Sequence, residues 1–377
     1  MYRSLQAGRA VAATLVLLFH LGSAIAAEKY FGIEWFSIPF SFGNSGVDFF
    51  FVLSGFIIYY VHKNDLGKPS SLKKYIYKRV VRIYPTYLIV FIGVYLLAIT
   101  APQLRNTVPH DIGLIIQSLL LIPLNRDVVG GTGAPVIIVA WTLQFEMMFY
   151  IAFALGILKK TAGSLLIALY LLGLGFNIGS IGFPLSFIFS EYIILFIMGM
   201  LVAQLVSHKP IMKQNPKYFA TTGLLIYVLV AIDEVVNFQF FSAVQTMLYG
   251  VGCSFIVLAL VSYERKGKAF LGHNFFQLLG SASYALYLIH YPLISILCKA
   301  SMFAGLKSYG VVGALISYFI IFITCIIAAI AFHLFIEKPI SEWLRKVLGK
   351  SNESISLGFT EKQALGSNPL KSGTRGS

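Results

Sequence analysis

The chain has 377 residues, of which 58% are hydrophobic and only 12% charged, and its mean hydropathy is +0.80. So little charge over that length excludes a water-soluble globular enzyme and leaves a polytopic membrane protein. The formal charge of +14 suggests nucleic acid only until its residues are placed: they fall in short loops between apolar runs, where they set topology, so no nucleic-acid partner is expected.

Apolar stretches long enough to span, about 17 to 25 residues, occur near 9–27, 43–62, 77–100, 136–158, 163–179, 187–207, 218–236, 242–262, 278–301 and 310–336. The shorter run at 112–124 reads as re-entrant or interfacial. Arg3, Arg9, an apolar core and the small residues before Glu28 imitate a secretory signal. His20 inside that core is foreign to a signal, and the segment is expected to stay as the first span. Lys63, Lys68, Lys73, Lys74, Lys78 and Arg79 follow the second span, Lys159 and Lys160 the fourth, and Lys209, Lys213 and Lys217 the sixth. Arg265, Lys266 and Lys268 follow the eighth, and Arg345, Lys346 and Lys350 the tenth. Basic residues therefore mark every even-to-odd junction, which predicts an all-α integral membrane protein of about ten transmembrane helices with both termini cytoplasmic. The membrane domain is expected over 1–345 and a polar, disordered tail over 346–377.

Within this charge-poor chain, a few ionisable groups lie deep in the apolar runs. His20 is eleven residues past Arg9, about 16 Å along a helix and on nearly the same face. Counting from the cytoplasmic ends puts Asp48, Glu146 and His290 at a similar depth. Ionisable groups at membrane depth are costly and mark polar cavities. At the cytoplasmic rim, Arg79 and Arg82 are spaced i, i+3 near the inner end of the third span, and the planar arginine fork suits phosphate oxygens. A phosphate-binding mouth with a histidine and carboxylates one long linker deeper suits a donor whose phosphorylated head carries an extended thioester arm. The structural readings are plain as well: His20 as a helix-packing histidine, Asp48 as a partner of the Gly43–Gly46 bend, His290 as a donor to carbonyls freed by Pro292, and the arginines as topology markers. Cys253, Cys298 and Cys325 stand alone in apolar runs, so neither a disulfide framework nor a metal site is expected.

Several blocks follow one another along the chain: Arg9 with His20, "GVDFFFVLSGF" from Gly46 to Phe56, Arg79 with Arg82, Trp141 to Tyr150, Ser283 to Pro292, and Glu337 to Pro339. On these blocks the chain resembles the membrane-bound acyltransferase 3 family, over roughly residues 4 to 345. The resemblance implies an O-acyltransferase of the exopolysaccharide or Nod-factor type, in a bacterial inner membrane, without a fused extracytoplasmic domain. It implies an acyl-CoA donor, most simply acetyl-CoA, used from the cytosol, with His20 catalytic and the arginines on the coenzyme. On this reading His20 is the general base toward a sugar hydroxyl, and Asp48 or Glu146 holds its imidazole. An acyl-histidine intermediate is the competing route. Arg9, Arg79, Arg82, Tyr287 and His290 are expected on the coenzyme side, Tyr287 by lining the arm's channel or donating to the oxyanion. Expected partners are acyl-CoA, a glycan or lipid-linked saccharide, membrane lipid and glycan-assembly proteins. Two other classes stay open: a proton-coupled transporter using the same midplane groups, and a carrier that passes the acyl group across the membrane to a separate transferase.

Overall fold

The computed structural model describes residues 2–101 and 104–347; the tail expected from 346 onward lies, from residue 348, outside them. Among the described residues there is no strand, and nine helical segments are long and apolar enough to cross a membrane. The chain is a multi-pass membrane protein. Its helices are α1 Arg3–Ala26, α2 Gly46–His62, α3 Leu72–Thr100, α4 Ile112–Leu119, α5 Arg126–Val129, α6 Trp141–Leu158, α7 Lys160–Gly175 and α8 Leu185–Ile188. They continue with α9 Tyr192–Leu205, α10 Lys209–Lys213, α11 Pro216–Val236, α12 Gln245–Arg265, α13 Asn274–Ser281, α14 Ser283–Phe303 and α15 Gly310–Phe332.

The sequence run at 163–179 forms the 16-residue α7, about 24 Å long, which packs on α6 and carries the chain back so that α9 runs parallel to α6. Asn177 in the left-handed conformation (φ 52°) stops it before the apolar run is used up. The run at 112–124 is the eight-residue α4, with Ile112 and Ile116 exposed. Tyr87 and Tyr84 of α3 donate to the carbonyls of Ser118 (2.7 Å) and Leu120 (3.0 Å), which ties this segment to the bundle.

Packing between helices in lipid depends on close backbone approach, because apolar burial alone does not favour helix over lipid. α2 and α9 meet at Gly55 and Gly199, where a Cβ would run into the carbonyl oxygens of Phe196 and Val52 respectively. Gly46 likewise lets the start of α2 press on the Ala12 carbonyl of α1. Gly199→Val is therefore expected to destabilise the fold by about 1–3 kcal/mol or more. Gly93→Ala, where an added Cβ has nothing within 4 Å, is expected to be neutral or to stabilise by about 0.5–1 kcal/mol. Thermal unfolding in detergent separates the two, and equal melting temperatures would refute the close-approach account.

α1 runs parallel to α14, joined at rising positions on both helices. Gln6 Nε2 donates to Ser281 Oγ just ahead of α14 (2.9 Å), Arg9 to Ser283 Oγ, and the His20 and His290 rings meet at 3.2 Å. Beyond the end of α1, the Tyr30 hydroxyl lies 3.3 Å from Ser295 Oγ. The N-terminus of α1 has no side-chain cap of its own. The Glu264 carboxylate on α12 accepts from the backbone N–H groups of Arg3 and Ser4, both at 2.7 Å, satisfying orphan donors and facing the positive end of the helix dipole. Glu264→Ala is expected to cost about 1 kcal/mol, read as a lowered melting temperature that Glu264→Gln only partly restores.

Candidate active site

Two clusters occupy the space between α1 and α14. The first is a cavity of about 70 Å³ lined by α1, α2, α3, α6 and α14, with Arg9, Arg82, Glu146, Ser283 and Tyr287 in its wall. Arg9 forms its buried side, only 7% exposed. Its Nε and Nη2 donate to Ser283 Oγ at 3.1 and 2.8 Å. Arg82, in the same wall, is exposed. No carboxylate lies within 4 Å of either guanidinium among the described residues. Glu146, in the same wall, accepts from the Tyr150 hydroxyl and from Ser54 Oγ (3.3 Å). Two arginines on one small cavity, neither within 4 Å of a carboxylate among the described residues, have the chemistry to hold an anionic group, with the Glu146 carboxylate in the same wall.

Arg79 does not join them. Its guanidinium lies over the rings of Tyr75 (5.8 Å) and Tyr150 (5.6 Å), and its Nε is buried without a hydrogen-bond acceptor. The i, i+3 spacing puts both arginines on one broad face of α3, but the 60° between them is enough to send Arg79 into the aromatic wall behind Glu146. Glu337 hydrogen bonds His333 Nδ1 at 2.7 Å across the π turn His333–Glu337, which relieves the clash and lost donor of Pro339.

The second cluster is one level further along the two helices. His20 Nδ1 lies 3.0 Å from the Val16 carbonyl and 3.2 Å from His290 Nε2. His290 Nδ1 lies 3.0 Å from the Leu286 carbonyl. Carbonyl oxygens only accept, so both histidines carry their proton on Nδ1. His290 Nε2 is then a lone pair that accepts from His20, and His20 Nε2 is left unprotonated with no hydrogen-bond partner among the described residues. Phe19 and Tyr291 pack edge-on around the His20 ring, at 5.0 and 5.4 Å. Tyr287 bridges the two clusters, its ring 5.9 Å from His290. Its hydroxyl is engaged by Thr142 Oγ1 (2.9 Å) and the Val139 carbonyl (3.2 Å), so Tyr287 shapes the passage with its ring.

Of the residues singled out in the sequence, the structure thus brings Arg9, Arg82, Glu146 and Tyr287 to one cavity and His20 and His290 to the next level. Neither Asp48 nor Glu146 hydrogen bonds His20. Glu146 sits at the level of the arginines. Asp48, buried in the first turn of α2, is not among the residues that line the cavity. Ser283, Ser54 and Tyr150 are additions. Tyr150 is one turn after Glu146 and so was within reach of the sequence, whereas Ser283, the first residue of α14, meets Arg9 six residues past the start of α1, a pairing that counting does not give.

On the far side of α1, an apolar cavity of about 570 Å³ lies against α2, α11 and α12, with Lys268 the single cationic residue in its wall; it is separate from both clusters.

Compared with known proteins, residues 2–334 match the acyltransferase 3 model, described as an acyltransferase domain. The chain is 28% identical over 340 residues to the exopolysaccharide production protein ExoZ of Rhizobium meliloti (strain 1021), an alignment covering 86% of this chain and 94% of that protein. No solved structure matches.

Proposed function

The chain belongs to the acyltransferase 3 family, and from that premise we propose that it is an integral-membrane O-acyltransferase that moves an acetyl group from cytosolic acetyl-CoA to a hydroxyl of a surface or lipid-linked glycan. The observation that carries this reading is the pairing of levels: an arginine-lined anion receptor, and about 16 Å along α1 a histidine with a free basic nitrogen. A pantetheine arm has the length to join them. At about 70 Å³ the cavity admits one phosphate-sized group, so Arg9 and Arg82 grip one part of the donor and leave the nucleotide outside.

His20 Nε2 takes the proton of the acceptor hydroxyl as that oxygen attacks the thioester carbonyl. The tetrahedral intermediate then expels the thiolate, the C–S bond breaks, and His20 returns the proton to sulfur. The acyl group ends on oxygen and His20 is neutral again. Phe19 and Tyr291 hold the ring from two sides and restrict water around it, which favours transfer over hydrolysis. The surface-glycan acceptor is supported by the exopolysaccharide relative.

The test is the ester content of the producing cell's surface polysaccharides, by NMR before and after mild base, in a deletion strain with and without the wild-type gene. One ester signal lost on deletion and regained on complementation is the expected result, and the same spectrum names the hydroxyl. Unchanged esters, with the protein present in the membrane, would refute a polysaccharide acceptor.

A further inference from the structure

The two histidines use one device twice, with different outcomes. Each bonds the carbonyl four residues earlier in its own helix, His20 to Val16 and His290 to Leu286. Each ring is thereby fixed in rotamer and tautomer with Nδ1 protonated. In His290 the remaining Nε2 is spent on His20; in His20 it is free. His290 is 1% exposed and cannot meet a substrate, whereas His20 is half-buried. No carboxylate hydrogen bonds either ring among the described residues.

We infer that His290 is the positioning residue of this site, doing with a neutral imidazole what a carboxylate does in a triad; the inference rests on the reading of His20 as the base. It accepts the same Nδ1–H of His20 that the Val16 carbonyl accepts, adding a second acceptor on one side of the ring that favours the tautomer with Nε2 free. It also turns a lone pair toward the charge that forms on His20. When Nε2 of His20 takes the hydroxyl proton, the Nδ1 proton is shared toward Nε2 of His290, whose own Nδ1–H stays on the Leu286 carbonyl. Both protons return as the thiolate is protonated, and no other acid or base is consumed. A neutral acceptor suits this depth, because a carboxylate here would need its own partner to offset the loss of water. This separates His290 from the coenzyme-binding set in which the sequence placed it.

The experiment uses membrane vesicles from a deletion strain, which keep their native acceptor, carrying wild type, His290→Ala, His290→Gln or His20→Ala. Labelled acetyl-CoA is supplied over a concentration series, and label in the glycan fraction is normalised to the monodisperse protein recovered from each sample. His290→Ala is expected to lower the maximal rate by about 10–100-fold with the apparent KM for acetyl-CoA within about twofold. His290→Gln, whose amide oxygen accepts the Nδ1–H but takes no proton, is expected to recover part of that loss. A raised KM with an unchanged maximal rate would make His290 a coenzyme contact and overturn the inference. So would a wild-type rate in His290→Ala, or equal losses per folded molecule in both variants. His20→Ala keeps the two readings apart: if it is inactive while His290→Ala is normal, only the positioning role fails, and if His20→Ala is itself active, the general base is misassigned.

Discussion

His20→Ala is expected to cut acyl transfer by about 10²–10⁴-fold, the usual contribution of a positioned general base, while the protein still inserts and folds. The ring is half-buried, and its removal opens a small gap between Phe19 and Tyr291 without leaving a charge unpaired. His290 Nε2 would lose its donor, a neutral group whose desolvation costs about 1–3 kcal/mol at most. Rate and fold therefore separate cleanly: vesicle transfer should fall near background while the detergent melting temperature drops by only a few degrees. His20→Gln should be no better than alanine, since an amide does not take up the proton. Transfer within tenfold of wild type in either variant would remove the histidine from the chemistry.

The second large effect belongs to the arginines, and their unequal exposure sets the order. Arg9 is buried against Ser283, so a charge it meets there is screened little. Losing one member of such a buried charge contact typically costs about 2–5 kcal/mol, which converts to a rise of some 30-fold or more in the donor KM. Arg82, the more exposed of the two, is expected to contribute less, about tenfold on replacement by alanine. Arg9→Lys should remain impaired, because a single ammonium does not reproduce the fork that grips Ser283 and an anion together. Higher salt should weaken donor binding in wild type and in Arg9→Ala but less so in Arg82→Ala. The measurement is initial rate against acetyl-CoA concentration in vesicles at two ionic strengths, and an Arg9→Ala variant with unchanged KM would dismiss the cavity as the donor's anion receptor.

Much of this arrangement was legible beforehand in one dimension and not in the others. Hydropathy located the spans, because apolar length answers directly to bilayer thickness; at α7 a left-handed Asn177 follows the helix end inside an apolar stretch. Counting along helices also put Arg9 below His20 correctly on one face. Counting gives height, however, and not azimuth. Asp48 follows Val47 by 100°, so Val47, Phe50, Phe51 and Ser54 line the cavity while Asp48 turns to the other side of α2. Glu146 was placed level with His20, but the inner end of its helix is set by packing, and it lies with the arginines. The His20 to His290 bond joins residues 270 apart in sequence, and no local pattern in either helix announces the other.

The parallel seam between α1 and α14 also has a consequence in time. Arg9 finds Ser283 only after 274 further residues have been made, roughly 14–55 s at bacterial and eukaryotic ribosome speeds. Until then the first helix waits in the bilayer with its arginine unmatched. A chain released early therefore carries only one side of the seam.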